Sequence, residues 1–191
     1  MKKTLVVIAS AGAVAGGLLL SMLVVPHLVQ DPHAKSAVPR SGKAHWADHY
    51  NSLEQMMADV DAIVLARHVA GMPGRVEDSP EDPLPFTNNR FLTIRAVKGN
   101  VGSSFIVEQT GGDLAGVEYS IDDGGPYAPG DHYLLFLKRQ PDTGYFYLVN
   151  PQGRFHNEGG RLKAVVRDAV TARLHGKAEE EALGVLARAG R

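Results

Sequence analysis

Short apolar segments separated by glycine- and proline-rich turns constrain the fold of this chain more than any other feature. Between residues 62 and 149 the interrupting sequences include Lys98-Gly99-Asn100, Gly111-Gly112 and Pro129-Gly130-Asp131. Glycine reaches positive φ and proline fixes φ, so such clusters end strands and reverse the chain. Short strands at this spacing predict a mainly β (α+β) fold, built as a small, closed or strongly curled antiparallel barrel.

Two segments on either side of these turns have a more specific pattern. The run from Tyr133 to Leu137 is almost continuously apolar, which predicts a strand buried on both faces. Ser52 with Gln55 three residues later forms a capping box, which predicts a short helix before the barrel. Residues 72–85 hold four prolines and four acidic residues, so we expect an exposed acidic loop there, after a strand that ends at residues 71–74.

The C-terminal part differs from the barrel segment in its periodicity. Apolar residues recur there at helical spacing: Leu162, Val165, Val166, Ala169, Val170 and Leu174. This pattern predicts a helix, and residues 178–189 predict a second one that begins with three glutamates. The C-terminal helical segment, residues 162–191, is interpreted either as part of the fold or as an interaction arm.

An uncharged N-terminal run predicts a membrane span. Lys2 and Lys3 precede 22 uncharged residues, 4–25, and about 20 apolar residues cross a bilayer. The run ends without an A-x-A cleavage pattern, which favours a single-pass signal anchor over a cleaved signal peptide. We therefore expect a tail at residues 1–3, the transmembrane anchor at 4–25, a linker at 26–44 and an extracytoplasmic barrel domain at 45–161. The alternative is secretion after cleavage.

Composition narrows the function classes. The chain has no cysteine, which excludes disulfides, thiolate metal sites and a cysteine nucleophile. The first 30 residues carry two lysines and no acidic residue, so the remainder has 18 basic and 21 acidic residues, a net charge of −3. This balance argues against a nucleic-acid partner. The predicted partners are the membrane, through residues 4–25, and an envelope protein or glycan.

Two small residue sets are candidates for sites. His45 and His49 are four residues apart, which on a helix places two imidazoles on one face, as zinc or copper requires. A third ligand is not local, and a solvated, amphipathic segment at the start of the domain is the favoured explanation of the pair. Tyr145 and Tyr147 lie on one face of a predicted strand, opposite Phe146, and form either a ligand platform or the ordinary edge of a core. No catalytic residue and no cofactor is predicted.

A family resemblance adds to this interpretation over residues 52–160. Its residues are a strand that ends in Ala96-Val97-Lys98-Gly99, the run from Gly130-Asp131 through Tyr133 to Leu137, and the return Gly153-Arg154-Phe155. The pattern resembles that of uncharacterised exported bacterial proteins with a small β-barrel. It also resembles the netrin-like, OB-type barrel of tissue metalloproteinase inhibitors. The resemblance implies an OB-like barrel and no enzyme activity, and the missing cysteines exclude inhibition through an N-terminal cysteine.

Two functions follow as hypotheses. The first is a non-enzymatic, membrane-anchored module that binds a protein, peptide or envelope glycan outside the cytoplasm. The alternative is an envelope hydrolase or metal-dependent enzyme that uses His45, His49 and His132 with carboxylates. The second hypothesis requires several of these side chains to converge in one concave pocket.

Overall fold

A computed structural model describes residues 40–42, 49–77, 83–121 and 124–190. The protein is mainly β, as the turn pattern predicts, and strands make up about half of the described residues. The strands are β1 (Arg40–Gly42), β2 (Ala62–Glu77), β3 (Leu84–Lys98), β4 (Ser104–Thr110), β5 (Gly112–Leu114), β6 (Val117–Ile121), β7 (His132–Arg139), β8 (Phe146–Leu148), β9 (Arg154–Glu158) and β10 (Arg161–Ala164). The helices are α1 (Leu53–Asp59) and α2 (Glu179–Ala189), with 3₁₀ turns at Pro151–Gly153 and Thr171–Arg173.

Five of the strands pair in a closed ring. The larger sheet has the order β10-β9-β7-β2-β3-β4-β8, and β8 also pairs with β7. The ring therefore runs β2-β3-β4-β8-β7 and back to β2, with a parallel β4–β8 contact and antiparallel contacts elsewhere. Four register shifts interrupt the β2–β3 ladder. Such bulges bend and twist a strand pair, which allows these two long strands to curl.

One hydrophobic core fills the ring. It takes side chains from all five ring strands: Ala62, Val64, Ala66, Phe91, Phe105, Val107, Tyr133, Leu135, Leu137, Phe146 and Leu148, together with Val101 and Tyr127. In each strand these are alternate residues, and alternate side chains point to the same face of a strand. The alternation in the sequence therefore identifies the inward-facing positions.

A second core lies on the outer face of β2 and β7. Ile63 and Leu65 of β2 contribute to it, as do Leu134 and Phe136 of β7, and both helices pack here. Tyr133 to Leu137 are all 2% exposed or less, which confirms the prediction of a strand buried on both faces. The C-terminal residues Leu162, Val170, Leu174, Ala182, Leu183 and Leu186 belong to this core. The segment 162–191 is thus built into the fold.

The prediction of a helix from the spacing of Leu162 to Leu174 is wrong. Arg161–Ala164 form β10, paired with β9, and only the 3₁₀ turn Thr171–Arg173 follows before α2. Gly159 and Gly160, with φ of 58° and 82°, form the two-residue turn between these strands. Two adjacent glycines are a strong hairpin signal, and here they commit the next residues to a strand despite the helical spacing.

The loop predicted over residues 72–85 is also wrong in part. β2 continues through residues 71–74 to Glu77, and β3 begins at Leu84, so the two strands extend past the ring as a ribbon. β2 pairs with β7 only from Ala62 to Arg67, so at Pro73 the strand is paired with β3 alone and has an edge, the position in a sheet where proline is tolerated. Residues 78–82 lie outside the described part of the chain.

The capping box before α1 is confirmed. Ser52 is the N-cap and its hydroxyl accepts a hydrogen bond from the Gln55 N–H at 3.0 Å. At the other end of α1, the Lys98 Nζ donates to the carbonyls of Met57, at 2.7 Å, and Ala58. A cation that binds the last carbonyls of a helix satisfies orphan acceptors and suits the helix dipole.

Gly99, which follows Lys98, packs closely against the backbone at Asp61 and Ala62. It has a φ of 75°, and a Cβ at this position would lie 2.1 Å from the carbonyl oxygen of Asp61. The Lys98-Gly99 turn at the end of β3 therefore packs against the C-terminal end of α1. A side chain does not fit at Gly99.

The membrane prediction concerns residues that the structure leaves out. Within the described ranges no helix is both long and apolar enough to cross a bilayer. The predicted anchor at residues 4–25 lies outside these ranges, as do the tail at 1–3 and most of the linker at 26–44.

Candidate functional site

The interior of the ring becomes polar at one end. Inward-facing apolar residues give way to His68 on β2, Asn89 on β3 and Gln109 on β4. His68 and Asn89 are 2% and 3% exposed. The Asn89 amide donates to the Gln109 carbonyl oxygen at 3.3 Å, and the Gln109 amide donates to the carbonyl of Gly125 at 3.0 Å. Buried polar groups connected in this way hold a defined geometry.

Of these three polar side chains, His68 has the fewest hydrogen bonds to offset its loss of hydration. Neither of its ring nitrogens makes a hydrogen bond of ordinary geometry within the described residues. Burial lowers the pKa of His68, and the nearby Ala128 backbone and Asn89 amide oppose that effect only in part. The ring packs against Phe91 and Tyr127 at centroid distances of 5.1 and 5.8 Å. His68 is therefore a neutral, packed side chain under the polar end of the ring.

Two clefts open at this end of the ring, and the larger of these two lies beside β8. It has a volume of about 280 Å³, and the described residues that line it are Arg75, Phe86, Val107, Glu108, Gln109, Thr110, Tyr127, Gln140, Tyr147 and Leu148. The opening exists because β8 is only three residues long and pairs with β4 at Val107 and Glu108 alone. We call this space the β4–β8 cleft.

An ion pair between the buried Glu108 carboxylate and the half-exposed Arg75 guanidinium forms one wall of the β4–β8 cleft. The Glu108 side chain is 5% exposed, and its carboxylate accepts from the Arg75 Nε and Nη2 at 3.2 Å and from the Gln140 Nε2 at 2.8 Å. The guanidinium lies 3.8 Å above the Phe86 ring. Glu77 and then Glu108 raise the pKa of Arg75. A carboxylate buried this deeply needs such charge-assisted hydrogen bonds to offset its lost hydration.

Two tyrosines line the cleft, and their side chains differ in solvent exposure. Tyr127 is 6% exposed, and the Arg154 guanidinium covers one face of its ring at 3.8 Å. Tyr147 is 37% exposed and lies opposite Glu108 in the β4–β8 register. Tyr147 therefore presents an accessible aromatic ring next to the ion pair.

A smaller cleft of about 150 Å³ lies against the same strand end. It shares Gln109, Thr110 and Tyr127 with the β4–β8 cleft and is otherwise lined by β2, β3 and the β5–β6 region, including Asn89 and Glu118. Glu118 and Glu108 therefore face different clefts. A pair of carboxylates on either side of one bond, as glycoside hydrolysis requires, is not formed by these two residues.

The predicted site residues have separate positions in the structure. Tyr147 lines the β4–β8 cleft, whereas Tyr145 is half-buried in the turn before β8 and is not part of the lining. His45 lies outside the described residues, and His49 is exposed before α1. His132 contacts Glu179 through its Nδ1, at 3.1 Å. Across the described ranges, no three histidine or acidic side chains are grouped so that they hold a metal ion.

Sequence reasoning missed most of the cleft. Arg75 lies near the end of β2, Phe86 near the start of β3, and Gln140 directly after β7, and no local motif marks them. One signal was present on β4, where the inward alternation of Phe105 and Val107 continues to Gln109. A polar residue at a core-facing position points to a buried network or a site.

Comparisons with known proteins do not add a function to this geometry. No protein-family model matches the chain, and no curated protein matches its sequence. The β4–β8 cleft and the residues that line it are therefore the features that bear on function.

Proposed function

We propose that this protein is a membrane-anchored, extracytoplasmic binding module and that its β4–β8 cleft binds an envelope ligand without converting it. The proposal is based on this cleft, which combines an exposed Tyr147 ring with a buried Glu108 that is paired with Arg75. Ligand sites typically combine apolar walls with a few fixed polar groups, which is the composition found here.

The ring topology supports a binding role. Numbered along the chain, the ring strands pair in the order 1-2-3-5-4-1 with strands 3 and 5 parallel, and we assign this arrangement to the OB-like barrel expected from the sequence. Barrels of this kind bind ligands on strands 2 and 3 and on the loops between strands 1 and 2 and between 4 and 5. Arg75 and Phe86 flank the first of these loops, and Gln140 begins the second.

The chemistry of the lining favours binding over catalysis. No histidine, serine, aspartate or lysine is among the described residues that line the β4–β8 cleft. Glu108 is the carboxylate among these described residues and is held by Arg75 and Gln140, so its protonation would weaken an existing ion pair. The enzyme hypothesis built on His45, His49 and His132 gains no support from this site.

The location is proposed from the N-terminal sequence. Residues 4–25 are uncharged and long enough to span a bilayer, and two lysines precede them, which favours an N-in orientation with the domain outside. Protease treatment of intact cells that express the full chain tests this. We expect cleavage of the domain without lysis and a mature protein that retains its N-terminus. Protection of the domain in intact cells would contradict the proposal.

Binding at the cleft is tested with the full chain in lipid nanodiscs. A panel of soluble sugars and short peptides is titrated by calorimetry, and mass spectrometry then shows whether any ligand has changed. We expect at least one ligand to bind unchanged and to lose affinity in Tyr147→Ala. Tyr145→Ala is the matched control, because this tyrosine does not line the cleft. Conversion of a ligand, or binding that Tyr147→Ala leaves unaltered, would overturn the proposed function.

A further inference from the structure

We infer that the β4–β8 cleft recognises a neutral sugar ring, an inference that rests on the proposed function and adds the class of its ligand. The two ionised groups among the described lining residues are Arg75 and Glu108, which form an ion pair, and Arg75 also pairs with Glu77 outside the lining. A charged ligand would have to compete with one member of this pair for the other. The lining therefore favours a ligand that is polar but carries no charge.

The polar groups of the cleft match hydroxyl groups, which both donate and accept hydrogen bonds. Gln140 uses one of its two amide hydrogens on Glu108, and its carbonyl oxygen accepts from Thr143. Within the described residues, Glu108 Oε2 accepts only from the Arg75 Nε, at 3.3 Å. An amide has two donors and a carboxylate oxygen has further lone pairs, so both residues retain capacity. One face of the cleft can thus donate and accept at neighbouring positions.

The aromatic wall matches the other side of a sugar. Tyr147 is 37% exposed, whereas Arg75 covers the Phe86 ring and Arg154 covers Tyr127. Tyr147 is therefore the aromatic residue of the described lining that offers an accessible ring to a flat ligand. The C–H face of a pyranose is apolar while its rim carries hydroxyls, and this division corresponds to an aromatic ring beside amide and carboxylate groups.

The size of the cleft limits what enters it. Its volume of about 280 Å³ is just below the usual range of ligand pockets, which begins near ~300 Å³. One ring-sized group fits. An apolar peptide side chain of that size would cover Glu108 and Gln140 without supplying donors or acceptors, and buried polar groups without partners are costly.

The test separates sugars from peptides in the full chain, held in nanodiscs that contain no sugar-headed detergent. Calorimetric titrations use maltose and N,N′-diacetylchitobiose as neutral sugars, glucuronate and glucosamine as charged ones, and trialanine as a peptide. We expect a neutral sugar to bind, with affinity falling about tenfold in Tyr147→Ala and changing less than about threefold in Tyr147→Phe, which keeps the ring. Tyr145→Ala is expected to match the parent protein.

A second variant probes the polar wall. Gln140→Leu keeps the approximate size of the side chain and removes the amide, so we expect it to weaken sugar binding about tenfold. Thermal unfolding of each variant establishes that it is folded before affinities are compared.

The possible results test sugar recognition separately from ligand binding at the cleft. Trialanine or a charged sugar that binds in a Tyr147-dependent way, without binding of a neutral sugar, overturns the sugar inference and leaves the cleft as a binding site. Sugar binding that neither Tyr147→Ala nor Gln140→Leu alters places the ligand elsewhere and overturns both. Absence of any Tyr147-dependent binding also overturns both.

Discussion

Replacement of Leu186 by alanine tests whether the C-terminal segment is part of the folded domain. Leu186 lies on α2, is 0% exposed and belongs to the core on the outer face of β2 and β7. The substitution removes three carbon groups, at about 0.8 kcal/mol each, which gives about 2.4 kcal/mol of lost transfer free energy. The cavity that remains adds to this, so we expect the free energy of unfolding to fall by about 3 to 4 kcal/mol.

Urea unfolding followed by circular dichroism measures this change. With a denaturant slope of about 2 kcal/mol per molar, the midpoint should fall by about 1.5 to 2 M. Leu92→Ala is the matched control, since it removes the same atoms from a side chain that is 37% exposed, and we expect less than about 1 kcal/mol. Equal effects of the two substitutions would refute the reasoning and would favour the interpretation of residues 162–191 as an interaction arm.

Three further predictions follow from the described contacts. Gly99→Ala places a Cβ 2.1 Å from the Asp61 carbonyl oxygen and should cost more than about 2 kcal/mol in urea unfolding, whereas Gly144→Ala, which meets nothing within 4 Å, should cost about 1 kcal/mol; similar losses would contradict the close approach. Lys98→Met removes the hydrogen bonds to the last carbonyls of α1 and should cost about 1 kcal/mol, and an unchanged urea midpoint would contradict this capping role. Burial lowers the pKa of His68, so below about pH 6.5 the unfolded chain binds a proton that the folded chain does not, and stability should fall as the pH drops from 7 to 5. His68→Phe should reduce that fall, by at most about 1.4 kcal/mol per pH unit, and an unchanged pH profile would show that another group is responsible.

Local chemistry explains which parts of the fold could be predicted. Ser52 and Gln55 define the start of α1 within a single turn, and the apolar run of β7 implies burial on both faces, so both predictions were confirmed. The error over residues 162–174 has a local cause as well, because the Gly159-Gly160 hairpin turn outweighed a helical spacing. The extension of β2 past Pro73 had no such signal, since an edge position is known only once the sheet is assembled.

The sequence by itself determined the β-rich class, the turns and the polar or apolar identity of each position, because these depend on residues close together in the chain. Only the tertiary structure determined where the cleft lies and which residues line it. Arg75 and Gln140 lie 33 and 32 residues from Glu108. Arg75 reaches it from β2, which pairs with β3 beside β4, and Gln140 reaches it where β8 pairs with both β4 and β7 and closes the ring. Tyr147 acquired its place beside Glu108 through the same closure, whereas Tyr145, two residues away, remained outside the cleft. Ring closure is a non-local event with no motif of its own, and for this reason the sequence indicated an aromatic platform without locating the site.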